Sequence, residues 1–119
     1  MTMLTKEEWL ENIIGAVMHF ADQDYQRSAW FGHARSVSSP AEMYNELYDD
    51  VAFTLYRDQY GSLFSDDQRS AWMGFDEAVE RFGQNLDESA KPEMVLEDPE
   101  WLQVGLAAKQ FLRVFVPNR

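Results

Sequence analysis

The chain reads as an all-α protein, a single-domain helical bundle of four main helices with one or two short ones. Three observations predict it. Apolar residues recur at spacings of three and four rather than two. Ser or Thr followed three residues later by Glu or Gln opens stretch after stretch, at Thr5/Glu8, Ser39/Glu42 and Ser65/Gln68. No alternating run of useful length offers a strand. A chain of 119 residues fits one domain and buries enough surface to need no covalent staple.

Taken in order, Thr5 and Glu8 form a capping box, and Trp9, Ile13, Ala16, Val17 and Phe20 follow as one stripe. Leu10 and Ile14 widen it, so this helix should touch two neighbours. Glu7, Glu8 and Glu11 lie near its positive end, where the macrodipole favours them, and its end falls between Phe20 and Asp24. From Asp24 to Arg35, Tyr25, Ala29 and Trp30 can continue a helix. Gly32 should break it, and His33–Ser38 reads as a polar loop.

Ser39 to Gly61 reads as one continuous helix, and as the segment against which the others pack. Ser39 caps it, Pro40 suits its first position, and Glu42 completes the box. At 100° per residue, Tyr44, Leu47, Tyr48, Val51 and Leu55 share one side, and Glu42, Glu46, Asp49 and Asp50 the other. Phe53 falls among those acids, with Arg57 one turn on. A neighbouring element covers Phe53, or it is an anchor ringed by carboxylates on a protein-binding surface, or it is a singly exposed aromatic with no role.

Gly61 and Ser62 mark a turn. Ser65 with Gln68 opens the cleanest seam of the chain: Trp72, Phe75, Val79, Phe82 and Leu86, with Asp76, Glu77, Glu80 and Arg81 expected in water. Gly83 is a plausible stop, although Leu86 suggests a further turn. Asp87–Glu100 is acidic and interrupted by Pro92 and Pro99, with room for a short turn of helix around Met94–Leu96. Asp98 and Pro99 then start the last helix, which buries Trp101, Val104, Ala108, Phe111, Leu112 and Phe115. Gly105 allows a partner close, Lys109 and Arg113 sit near the negative end, and Pro117 stops it.

Composition narrows the function. The 21 acidic residues against 10 basic ones give a net charge of −11. That opposes binding to nucleic acid or to an anionic membrane and favours encounter with a basic protein. No Cys is present, which removes disulfides, thiolate metal sites and thiol nucleophiles. No apolar run reaches the ~20 residues of a membrane span, and the first residues show no secretory signal. A cytoplasmic location is the expectation.

The chemical constellations are thin. His19 and Asp22 form an i, i+3 pair, but the Glu-x-x-His pattern of di-metal bundles is missing: Ala16 precedes His19 and Trp30 precedes His33 at that offset. Asp66 with Asp67 suits a helix start. Asp49 with Asp50 sits mid-helix in this reading, where the dipole explains nothing, leaving a solvated face or a contact surface. Ser28, His33 and Asp24 name a triad on paper, with no nucleophile elbow or oxyanion loop around them. The glycines are scattered singly, so no phosphate loop forms. The Trp and Phe stripes lack the interleaved Arg and Lys of a base-stacking groove. No catalytic set, metal site or cofactor is expected.

Small size, strong acidity and helical patterning, with SSPAEMYNELYDD over Ser38–Asp50 and DPEW over Asp98–Trp101, resemble the immunity proteins that bacteria pair with secreted or contact-delivered toxins. The resemblance implies a non-enzymatic protein that neutralises a basic partner by occlusion. From the residues themselves, the candidate docking surface is Glu46, Asp49, Asp50 and Phe53, with Asp58 nearby. A helical homodimer burying the aromatic excess, and a bundle metalloprotein using His19, are the alternatives.

Overall fold

Outside Ser39–Gly61, each predicted helical stretch is helical in the computed structural model, which describes residues 4–31, 39–84, 86 and 91–116. Helix α1 spans Lys6–Ala21, and both arms of its Thr5/Glu8 capping box are formed. Helix α2 spans Gln23–Trp30, with Asp22 accepting from the Tyr25 N–H. Helix α5 spans Asp66–Gly83 behind a complete Ser65/Gln68 box. Helix α7 spans Pro99–Phe115, with Asp98 accepting from the Glu100 N–H. Short helix α6, Pro92–Glu97, covers the turn expected around Met94–Leu96. Gly32 and the loop His33–Ser38 lie outside the described residues, as does Pro117. No strand occurs among the described residues.

The stretch after Ser39 departs from expectation. It is α3, Pro40–Asn45, then a π turn over Glu46–Asp50, then a break, then α4, Phe53–Tyr60. The Val51 N–H reaches back five residues to the Glu46 carbonyl at 2.9 Å. Ala52 adopts a left-handed conformation with φ 50, the one positive φ among described non-glycine residues. Extra backbone in the π turn and the reversal at Ala52 rotate everything downstream. Phe53 swings inward to complete burial, and Leu55, expected inward, ends 56% exposed.

This broken segment is not the centre of the packing either. Helix α7 holds that place, with α5 against one side and α1 against the other. Its stripe Trp101, Val104, Ala108 and Phe111 is buried. The α1 contact is close at Gly105, where a Cβ would stand 3.6 Å from the Phe20 carbonyl oxygen. The core is largely aromatic. Phe53 stacks on Trp72 at 4.0 Å between ring centres, and Phe75 and Phe111 meet edge-on or tilted beside them. Phe82 and Trp30 flank Trp101. Burying each such ring removes 150–250 Å² or so of apolar surface from water, which makes this cluster the main source of cohesion.

Candidate functional site

The acids chosen from sequence surround the π turn. The break is held by an indole: Trp9 Nε1 of α1 donates to the Val51 carbonyl at 2.7 Å. Trp9 itself is packed edge-on against Tyr56 and Tyr60 of α4. One residue of α1 therefore grips both sides of the kink, so the backbone carrying Asp49 and Asp50 is fixed from behind.

Asp49 and Asp50 are exposed, and neither finds a hydrogen-bond or ion-pair partner among the described residues. Glu46 is only a third exposed and turns toward α1, where its Oε1 lies 3.4 Å from His19 Nδ1. His19 Nδ1 makes no hydrogen bond among the described residues. The imidazole stacks on Tyr25 with ring centres 4.0 Å apart. Asp58 is compensated, since the Arg57 Nη2 lies 3.2 Å away.

Two expectations change here. Phe53 has no exposed surface and is sandwiched in the core, so it is neither a surface anchor nor a singly exposed aromatic; the covering neighbour is what is found. Asp49 and Asp50 also lose their expected mid-helix place. They are the last two residues of the π turn and lie ahead of the new start at Phe53, whose Ala52 cap supplies no side-chain acceptor. The negative end of one helical segment and the positive end of the next therefore act on them in opposite senses, and the dipole gives no reason for the pair.

Asp76, expected in water, is instead drawn in. Its side chain is 13% exposed, with Arg57 Nη1 3.6 Å from Oδ2. The Tyr48 hydroxyl donates to its Oδ1 at 2.9 Å. Burial first, then the Asp76 carboxylate, pushes the Tyr48 phenol well above the ordinary tyrosine range. This network ties the π turn and α4 to α5. Its sequence signal was Arg57 and Asp76, a cation and an acid each lying off its own apolar stripe, but no local spacing connects them.

Gln26 left no such trace. It is fully buried. Its Nε2 donates to the carbonyls of His19 at 2.8 Å and Phe20 at 3.1 Å, both left open where α1 ends. Its Oε1 accepts from Trp101 Nε1 at 3.0 Å. One amide thus closes the end of α1, seats α2 and fastens both to α7. Of the triad named on paper, Asp24 is exposed and lies 3.8 Å from Arg27. Ser28 is half-buried, and His33 lies outside the described residues. Among the described residues no group of three His, Asp or Glu side chains converges to hold a metal.

The chain is an all-α helical bundle with a kinked, acid-bearing edge. Compared with protein-family models, with curated proteins and with solved structures, it shows no match in any of the three.

Proposed function

We propose that this is a non-enzymatic docking protein whose acidic face engages a basic protein partner, most concretely an immunity protein that occludes a toxin. The observation that carries the reading is the pair Asp49 and Asp50, exposed and, among the described residues, unpartnered, on backbone held by Trp9. Carboxylates without internal counter-ions, held on a rigid turn, accept Lys or Arg from outside with little ordering cost. The net charge of −11 adds steering over longer range. Glu46 flanks the pair, and Asp58 contributes through the field although Arg57 compensates it.

The test uses the protein encoded beside this one, purified and passed over the immobilised chain. Asp49→Lys with Asp50→Lys is expected to slow association about tenfold at low salt, with the deficit shrinking as salt rises. An unchanged association rate removes the site. A neighbour whose toxicity is not relieved by co-expression removes the immunity reading.

A further inference from the structure

The seam between α1 and α7 is not filled on its outer side. Leu102 and Leu106 stand one turn apart on α7 at 43% and 57% exposure, and Met18 of α1 is 45% exposed. With Ala21 and Gly105 they line a hollow of about 790 Å³. A second hollow of about 330 Å³, between Ile14 and Met18 on one side and Leu112 and Val116 on the other, continues it. Together they make one groove along two long helices.

Its ends differ in charge. The helices run antiparallel, since Phe20 lies beside Gly105 while Ile14 lies with Leu112 and Val116. Arg113, with Lys109 beside it where the two hollows join, therefore stands toward one end, and neither is within ion-pair distance of a carboxylate among the described residues. Asp22 and Asp24 mark the other end, together with Arg27, which lies 3.8 Å from Asp24. The Asp24 side chain is 99% exposed. Three of only 10 basic residues in so acidic a chain flank an exposed apolar strip, and two of them, Lys109 and Arg113, carry no ion pair among the described residues.

We infer that this groove is a self-association surface on which a second copy of the chain docks about a two-fold axis near Leu106. A two-fold exchanges the ends of the groove, so Lys109 and Arg113 of each copy meet Asp22 and Asp24 of the other. The complementarity is satisfied twice, as an isologous interface requires. Leu102 and Leu106 form an i, i+4 ridge, the element that enters the facing groove when helices pack ridge into groove. Gly105 and Ala21 keep the floor low enough to receive it. An anionic membrane is disfavoured by Asp22, Asp24 and the net charge. A foreign helix would have to reproduce the two-ended charge that this chain already carries. The surface shares no residue with Asp49 and Asp50, so either reading can fail alone.

Light scattering and sedimentation over a concentration series test it. The wild-type chain should dimerise reversibly with a Kd of roughly 10–100 μM, as suits a small interface. Leu106→Asp should be monomeric at all concentrations. So should Lys109→Glu with Arg113→Glu, and Asp24→Lys with Asp22→Ser, the Ser keeping a capping oxygen for α2. Mixed in equal amounts, the last two variants should recover a heterodimer, because each then offers the other its missing charge; misfolding cannot produce that recovery. A strict monomer at about 1 mM, some tenfold above the weakest Kd expected, overturns the inference. So does a dimer indifferent to Leu106→Asp, or a mixture that stays monomeric.

Discussion

Replacing Gln26 by Leu keeps the volume but leaves three polar groups unpaired at once: the carbonyls of His19 and Phe20 and the indole N–H of Trp101. Each buried orphan costs about 1–3 kcal/mol, partly relieved by relaxation, so a loss of about 3 kcal/mol in urea unfolding is expected. Trp101→Phe added to Gln26→Leu should cost less than the sum of the two, since each removes the other's partner. Tyrosines set the alkaline limit. Tyr44, whose hydroxyl donates to the Val79 carbonyl at 2.6 Å, is pushed above its ordinary value of 10.0 by burial. Tyr48 and Tyr56 move the same way, burial being the first cause in each. The folded state therefore keeps protons that the unfolded chain releases once the pH passes about 10, and stability falls as pH rises from there. Tyr44→Phe should flatten that fall, read by circular dichroism against pH, at a cost of about 1 kcal/mol near neutrality.

The kink between α3 and α4 is where local preference and tertiary packing disagree. Ala is the best helix former, and no Gly, Asn or Pro stands between Glu46 and Phe53 to announce a break. The continuous-helix reading was the natural one for that reason. The warning lay in Phe53, an aromatic that a straight helix would strand among acids. Burying it, with Tyr56 one turn later, outweighs the 1–2 kcal/mol or so of a left-handed Ala. Ala52→Gly is thus expected to stabilise by about 1 kcal/mol in denaturant unfolding, because Gly adopts that conformation without a Cβ clash. Destabilisation there would mean that the backbone is not left-handed in solution. Helix starts were far more legible, since a cap is a local event: Ser65→Ala should cost about 1 kcal/mol by losing the acceptor for the Gln68 N–H.

Across the whole molecule, the order of the helices and the core stripes of α1, α5 and α7 could be read from periodicity. Which helix stands in the middle could not. A stripe shows that a face is buried and is silent about what covers it, which is why Ser39–Gly61 reads as the centre although α7 occupies it. The Arg57–Asp76 pair and the Gln26–Trp101 bond escaped for the same reason, because each joins residues far apart in the chain. The charge of −11 does act over such distances. Raising ionic strength from about 0.01 to 0.15 M shortens the screening length from about 30 to 8 Å and relieves self-repulsion. The thermal midpoint should rise by a few degrees; a fall would show that surface ion pairs outweigh repulsion.

The middle position of α7 also bears on how the chain leaves the ribosome. The faces that α1 and α5 turn toward it lack one wall until that helix has been translated: Trp72 and Phe75 can already meet Phe53, but not Phe111, and Phe20 can meet Phe75, but not Trp101. Synthesis proceeds at about 5–20 residues per second, so those aromatic faces wait for seconds half-covered. A nascent chain stalled before Pro99 should remain protease-sensitive and be held by chaperones, and release of the last helix should trigger folding in a single step.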